Sequence, residues 1–213
     1  MIKKTNWDAY YGNSSSLSSI TRNITIKNIA KIIDNIILID NKWQPQKIIE
    51  LGGANSCLYD HIKNKFKPNQ YLVIDNNKTG LDLLKKKFGN DGVLLIKNAD
   101  ILNYTVSNEN ADLIYSVGLV EHFDIEGTEK AIEAHFNMLK TGGYCIITFP
   151  TPTFLYRITR GLAEILNLWL FWDERPLHFD EVINTVNKYA NVLKTTINWS
   201  IILTQGIIVA QKR

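Results

Sequence analysis

The sequence predicts an α/β protein with a doubly wound, mostly parallel seven-stranded sheet that ends in an antiparallel C-terminal hairpin. Two observations predict this fold. Between residues 47 and 149, short apolar runs without polar alternation alternate with amphipathic stretches, as expected for parallel strands that helices cover on both faces. Near the C-terminal end, two extended runs follow each other with almost no gap, and such a short connection allows only antiparallel pairing.

The individual elements follow from the same patterns. Isoleucines recur at three- and four-residue spacing before Pro45, which predicts an amphipathic helix. The predicted strands cover residues 47–51, 71–74, 93–96, 112–116, 144–149, 192–199 and 201–210. The predicted helices between them cover residues 57–66, 79–88, 126–139 and 179–189.

Composition indicates one globular domain over residues 1–213. The 45% hydrophobic and 21% charged residues are typical of a chain with a real core. A formal charge of +3, with scattered lysines, gives no basic stripe, so we expect no nucleic acid partner.

Cysteine usage and apolar runs limit the compartment. Cys57 and Cys145 stand alone without a CxxC or Cys/His cluster, so we expect no metal site and a reducing environment. The start of the chain has no apolar h-region. The most apolar run, at residues 165–172, is far shorter than the roughly 20 residues of a membrane-spanning helix. These features predict a cytoplasmic protein without a transmembrane segment.

The first predicted strand runs into a loop of small residues, Glu50-Leu51-Gly52-Gly53-Ala54-Asn55-Ser56. In such sheets, ligands bind at the carboxyl ends of the strands, where the strand order reverses. A dinucleotide loop needs G-x-G-x-x-G, and only Gly52 of the corresponding positions Gly52, Ala54 and Cys57 is glycine. An ordinary tight turn is the plainer alternative.

This loop and four later segments resemble the class I S-adenosylmethionine-dependent methyltransferases. That family's first motif is E/D-x-G-x-G-x-G, and here Ala54 and Ser56 replace its second and third glycines. The further landmarks come in the family's order: an acid after the second strand, an acid after the third strand, the segment 112–123 with its Glu-His pair, and the Leu-Lys-Thr-Gly-Gly turn at 139–143.

The resemblance implies S-adenosyl-L-methionine as cofactor and S-adenosyl-L-homocysteine as product. Asp75 would bind the ribose hydroxyls, Asp100 the adenine amino group, and Ser116 and Val117 the methionine part. Asp75 as a helix N-cap and Asp100 as a turn residue stay open. An aromatic lid from Trp7, Tyr10 and Tyr11 would close over the cofactor, or staple the following helix instead. The expected cofactor-binding residues are Tyr11, Glu50, Gly52, Gly53, Ala54, Asn55, Asp75, Asn76, Asp100, Ile101, Ser116 and Val117.

His122 is the candidate general base, because it follows the fourth strand at the cofactor end of the sheet and imidazole titrates near neutral pH. It would otherwise only orient its turn. His61 and His135, within predicted helices, are expected at the surface.

The domain then divides into an aromatic and helical cap (1–45), a cofactor-binding core (46–149), an inserted substrate segment (150–179), and the last helix with the hairpin (180–213). In the inserted segment, Tyr156, Trp172, Arg175 and His178 are the candidate substrate residues. A core helix, a homodimer contact or a surface against lipid headgroups are alternatives for this segment.

The predicted function is methyl transfer to a hydroxyl or amine of a small-molecule, saccharide or lipid-type acceptor. An inactive cofactor-binding partner of the same fold is an alternative, because the loop is altered. A nicotinamide-dependent oxidoreductase is less favoured, since the pyrophosphate fingerprint is missing. A nucleic-acid methyltransferase is disfavoured, because no N/D-P-P-Y/F tetrapeptide is present.

Overall fold

A computed structural model describes residues 4–12, 16–104 and 110–213. Residues 1–3, 13–15 and 105–109, which belong to the predicted cap and core, lie outside the described residues. The strands are β1 (Lys47–Leu51), β2 (Gln70–Asp75), β3 (Leu94–Asn98), β4 (Ala111–Val117), β5 (Leu139–Pro150), β6 (Ala190–Asn198) and β7 (Gln205–Lys212). The helices are α1 (Trp7–Gly12), α2 (Ser16–Ile39), α3 (Tyr59–Phe66), α4 (Lys78–Phe88), α5 (Ile125–Met138), α6 (Phe154–Ile165) and α7 (Phe179–Val186).

The strands form one sheet in the order β3-β2-β1-β4-β5-β7-β6. The first five pair in parallel, and β7 lies antiparallel between β5 and β6, which confirms the predicted fold class. Strand order reverses at β1, whose residue Ile49 pairs with Leu72 of β2 on one side and Ile114 of β4 on the other. The carboxyl ends of β1 and β4 therefore flank the crevice where this fold binds ligands.

Helices cover both faces of the sheet, as the uniformly apolar strands require. Ile49 and Leu51 of β1 belong to a buried cluster with α5 and α7, whereas Ile48 belongs to a cluster with α2, α3 and α4. The isoleucine stripe of α2 points into this second cluster through Ile29 and Ile33. Among the described residues, no helix is long and apolar enough to cross a membrane.

Most predicted strand boundaries are within two residues of the observed ones, but the starts of two strands are wrong by four and five residues. β5 begins at Leu139 rather than at residue 144, because Leu139 pairs with Ala111 ahead of a register shift in β4. β7 begins at Gln205 rather than at 201, since residues 199–204 form the turn of the hairpin. Both errors come from long-range pairing that local apolar patterns do not show.

Candidate cofactor and acceptor site

The β1–α3 loop depends on glycine for its own shape. Gly52 has a φ of +73°, and a Cβ there would lie 2.9 Å from Leu119 Cδ1. Its N–H donates to the Ile74 carbonyl at 2.9 Å, which ties the loop to the end of β2. A side chain at residue 52 would therefore strain the turn as well as crowd a ligand, so Gly52→Val would lower stability together with binding.

Glu50 lies beneath the loop and is buried. Its Oε2 accepts hydrogen bonds from Ser56 Oγ at 2.7 Å, Tyr71 OH at 2.6 Å and Tyr115 OH at 3.2 Å. Burial raises the pKa of Glu50 to about 7, although the three hydroxyls oppose the shift. A Cβ at Gly53 would lie 2.6 Å from Glu50 Cδ. The glutamate therefore supports the loop from below, and Gly53 leaves room for it.

The two positions where the chain departs from the methyltransferase motif both have structural partners. Ser56 Oγ accepts from the N–H groups of Leu58 and Tyr59 at 3.1 and 3.0 Å, at the start of α3. The Ala54 methyl group packs against α4, where a Cβ at Gly80 would lie 2.6 Å from Ala54 Cβ. Ser56 and Ala54 therefore connect the loop to α3 and α4.

Asp75 ends β2 and faces the same loop. Its Oδ2 accepts from the Ala54 N–H at 3.0 Å and its Oδ1 from the Asn77 N–H at 2.7 Å. Burial raises the pKa of Asp75, and the N–H groups of Asn77 and Ala54 oppose that rise. Asn76 beside it is exposed. The predicted ribose-binding carboxylate therefore lies where expected and also holds the loop.

The third expected contact region, after β3, is more open. Asp100 is exposed and accepts from Leu102 N and Asn103 Nδ2 at 3.0 and 2.8 Å, which makes it a turn residue in this state. Ile101 is buried in the core. Asn55 accepts from Lys87 Nζ at 2.9 Å at the outer edge of the loop.

Helix α1 lies across the carboxyl ends of the strands. The Trp7 ring is 4.9 Å from the His122 ring, edge on, and 6.1 Å from Tyr11, stacked. The Tyr11 ring lies beside Gly80 of α4, where a Cβ would be 3.0 Å from Tyr11 Cδ2, and burial raises the pKa of Tyr11, with a further contribution from the charge of Asp75. This is the placement that the lid interpretation requires.

Two polar contacts hold α1 and the segment before it in place. Asp8 Oδ1 accepts from Asn77 Nδ2 at 2.9 Å, next to Asp75. Thr5 Oγ1 donates to Asp173 of the inserted segment. The N-terminal segment therefore spans the crevice from α4 to the insertion.

The end of β4 contains a histidine contact that sequence reasoning missed. Ser116 is fully buried, and its Oγ lies 2.9 Å from His135 Nε2. The expectation that His135 is at the surface is wrong: it is fully buried, its Nδ1 lies 2.7 Å from the Ala131 carbonyl, and burial lowers its pKa to about 4. Val117, the next residue, is half-buried.

His122 follows β4 in a short 3₁₀ turn, Val120–His122. Its Nδ1 lies 3.1 Å from Asp173 Oδ1, and Nε2 has no hydrogen-bond partner among the described residues. Burial lowers the pKa of His122, and Asp173 opposes that shift. A neutral imidazole that donates from Nδ1 to Asp173 presents its Nε2 lone pair as a proton acceptor.

Acidic groups surround this imidazole. Glu121 is buried and its Oε2 has no hydrogen-bond partner among the described residues. Burial raises the pKa of Glu121 well above its usual range, and Glu174 adds to the rise. Donor atoms of Glu121, His122 and Glu174 lie within 4.8 Å of one another, the one such group in the described part of the chain. Glu174 Oε1 is engaged by Tyr156, and we assign no metal to the group.

The inserted segment places its polar residues on two sides of a cleft of about 560 Å³. Tyr156 is buried and donates to Glu174, and Arg160 lies 4.9 Å from the Trp169 ring. His178 is exposed in this cleft. Trp172 is half-buried.

Arg175 is largely committed to the fold. Its guanidinium donates to both carboxylate oxygens of Glu181, at 2.9 and 2.7 Å, and to Thr128 Oγ1 at 3.0 Å. Of the four candidate substrate residues, His178 is therefore the most available to a ligand.

Several residues of the site were not singled out from sequence. Tyr71 and Tyr115 around Glu50 carry a signal, since each is a tyrosine beside the aliphatic residues of its strand. Gly80, Phe171 and the Asp173–His122 contact carry none, because their partners are distant in the chain; His122 and Asp173, for example, are 51 residues apart.

Known proteins resemble this chain in domain family and in fold. Residues 49–147 match the methyltransferase domain family. A search of curated protein sequences gave no match. The solved structures of similar fold include the magnesium protoporphyrin IX methyltransferase ChlM from Synechocystis with bound S-adenosylhomocysteine, at 12% identity and a TM-score of 0.72, with 97% of this chain and 93% of that chain covered.

Two further structures share the fold. The N-methyltransferase NodS from Bradyrhizobium japonicum, in complex with S-adenosylhomocysteine, aligns at 15% identity and a TM-score of 0.63 over 83% of each chain. An S-adenosylmethionine-dependent methyltransferase from Clostridium acetobutylicum aligns at 17% identity and a TM-score of 0.64, over 84% of this chain and 89% of that chain. These likenesses show the fold, and the domain match over residues 49–147 adds the activity. Residues 49–147 are a methyltransferase domain, and the chain has the fold of the class I S-adenosylmethionine-dependent methyltransferases.

Proposed function

We propose that this methyltransferase transfers the methyl group to a hydroxyl or amine of a small-molecule, saccharide or lipid-type acceptor. The observation that carries the proposal is the position of His122: its ring lies at the carboxyl end of β4, its Nδ1 faces Asp173, and its Nε2 has no hydrogen-bond partner among the described residues. A hydroxyl or protonated amine must lose a proton during transfer, and a positioned base accelerates such a step by about 10²–10⁴-fold.

The cofactor-binding part of the proposal rests on the loop and its neighbours. Backbone atoms of Gly52, Gly53, Ala54 and Asn55 are presented at the end of β1, with Asp75 at the end of β2. Glu50 acts through the loop that it supports. Tyr11, Asn76, Asp100, Ile101, Ser116 and Val117 complete the proposed contacts around the crevice.

We assign acceptor binding to the inserted segment, residues 150–179, which belongs to the same domain as the cofactor core. Thr5 and Asp173 join α1 to this segment beside His122, so the acceptor would be enclosed between the lid and the insertion. Tyr156 and Arg175 shape the wall through Glu174 and Glu181, whereas His178 and Trp172 would meet the acceptor. The proposal includes a homodimer, which a measurement of the oligomeric state in solution would test.

The inactive-partner alternative loses its main support. It was motivated by Ala54 and Ser56, and both residues have partners in a well-formed loop. Incubation with S-adenosylmethionine and a panel of hydroxyl and amine acceptors, read as S-adenosylhomocysteine formed, tests turnover directly. We expect the parent protein to form S-adenosylhomocysteine and His122→Ala to form none, although both bind the cofactor with equal affinity. Cofactor binding without turnover on any acceptor would favour the inactive partner.

A further inference from the structure

Helix α6 turns its apolar side to solvent. Phe154 and Ile165, at its two ends, are 80% and 78% exposed. With 3.6 residues per turn, its six aliphatic and aromatic residues on this side fall within about a third of the helix circumference. We call them the α6 face: Phe154, Leu155, Ile158, Leu162, Ile165 and Leu166, all exposed.

Part of the opposite side of the same helix packs inward. Tyr156 is 1% exposed, and Arg160 pairs with Glu164 at 2.8 Å while it lies over Trp169. A surface helix ordinarily buries its apolar side and exposes its polar side. α6 instead leaves its apolar side in solvent, and packing within the described residues does not explain that side.

The apolar surface continues beyond α6. Leu168 and Leu170 follow it and are exposed, as are Trp199 and Ile202 in the β6–β7 turn. That turn lies beside the start of α6, because Thr153 Oγ1 and Thr204 Oγ1 are 2.7 Å apart. Contiguous exposed apolar surfaces of this kind mark interaction sites on soluble domains.

Charge and residue type favour an anionic lipid surface as the occupant. Arg157 lies between the α6 face and the cleft that it helps to line, is exposed, and makes no ion pair with a described residue. Aliphatic and aromatic side chains on one side with arginines on the other are typical of helices that lie in a bilayer interface. A symmetric dimer through the α6 face would place both copies of Arg157 at one interface, which like charge disfavours.

We propose that the α6 face docks this protein on anionic lipid bilayers, with the helix lying in the headgroup region and Arg157 near the phosphates. The apolar side chains would leave water on docking, and each basic residue near such a surface adds about 1 kcal/mol, or roughly fivefold in affinity. The proposal does not depend on which group accepts the methyl.

Co-sedimentation with vesicles tests the proposal on the full chain. We expect binding to phosphatidylcholine vesicles that contain phosphatidylglycerol, and weaker binding to phosphatidylcholine alone. The double variant Ile165→Ser/Leu166→Ser should reduce binding at least tenfold. The matched control Leu38→Ser/Ile39→Ser removes two equally exposed residues at the end of α2 and should bind as the parent does. Arg157→Gln should lower affinity for the anionic vesicles only.

Two outcomes would overturn the proposal. In one, the parent protein binds neither kind of vesicle. In the other, the parent protein sediments as a dimer, Ile165→Ser/Leu166→Ser is a monomer, and neither form binds vesicles. That result would make the α6 face an interface between copies of this chain. Calorimetry with S-adenosylhomocysteine on each variant reports folding and cofactor binding separately, so failure of docking and failure of the proposed methyl transfer are distinguishable.

Discussion

Glu50 is a buried carboxyl group that three hydroxyls hold under the cofactor loop, and its protonation should be visible in stability. Its pKa is raised from 4.5 to about 7 by burial. The folded state therefore favours the protonated form, and this contribution is complete below pH 4.5 and lost as the pH rises to about 7.

Glu50→Gln should remove this pH dependence. We compare the free energy of unfolding of the parent protein with that of Glu50→Gln. As the pH rises from 4.5 to 7, the parent should lose on the order of 2–3 kcal/mol relative to the variant, since one pKa unit corresponds to about 1.4 kcal/mol. Denaturant titrations at several pH values measure it. Glu126→Gln, at an exposed position, is the control for the loss of a surface glutamate. A flat difference for Glu50→Gln would mean that folding leaves the pKa of Glu50 unchanged.

Asp75 should contribute directly to cofactor affinity. Asp75→Ala is expected to weaken S-adenosylmethionine binding by about 1.5–3 kcal/mol, the usual value of hydrogen bonds to a charged group. Part of that loss would come through Ala54, whose N–H donates to Asp75. Calorimetry on the folded variant checks the prediction. Unchanged affinity would remove Asp75 from the site.

Asp173 should act as a positioning residue for His122. In Asp173→Asn the imidazole loses the carboxylate that raises its pKa, so kcat should fall and the acidic limb of the kcat profile should move to lower pH. The Asn oxygen still accepts from Thr5, which keeps the lid contact. Asp180→Asn, an exposed carboxylate in α7, is the control. An unchanged profile would show that His122 works without Asp173.

At the scale of elements, the aromatic residues of α1 contact both the end of β4 and the inserted segment, so α1 would connect the proposed cofactor and acceptor regions. Trp7 contacts the rings of His122, Tyr10, Tyr11 and Phe171, and each such pair contributes about 0.5–1.5 kcal/mol.

Trp7→Ala should therefore raise the dissociation constant for S-adenosylhomocysteine several-fold and speed its release. Stopped-flow displacement measures both. Trp199→Ala, an exposed tryptophan on the far hairpin turn, should change neither in lipid-free buffer. Equal effects of the two substitutions would argue against a lid.

The sequence predicted these elements well where local pattern decides them and poorly where distant pairing does. β1 is predicted with its observed bounds, since a five-residue run with three aliphatic residues ends at the Gly52–Gly53 loop. His135 was misplaced because its partner Ser116 lies 19 residues away on β4. A core helix is one of the alternatives that the sequence offers for the inserted segment, whereas α6 exposes its apolar residues to solvent.

The candidate site shows the same division. Gly52 and Asp75 were predicted from motif position and lie where the motif requires. The roles of Glu50 and Ser56 as loop supports could not be predicted, because they depend on Tyr71 and Tyr115 in neighbouring strands.

At the scale of the whole molecule, cofactor binding should stabilise the fold by mass action. S-adenosylhomocysteine at a hundredfold its dissociation constant should add about 2.7 kcal/mol, or roughly 5–10 °C in Tm for a chain of this size. Thermal unfolding monitored with S-adenosylhomocysteine and with NAD measures the difference. A shift with NAD alone would contradict the cofactor assignment.

The position of β7 in the sheet has a consequence for synthesis of the chain. β7 is the last strand in sequence, yet it lies between β5 and β6 and is almost wholly buried over residues 206–210. Until residue 212 has left the ribosome, β5 ends the sheet as an unpaired apolar edge and β6 has no neighbour to pair with. Such edges invite aggregation. A nascent chain that stalls before residue 205 would therefore need a chaperone, whereas the addition of eight more residues closes both edges in one step.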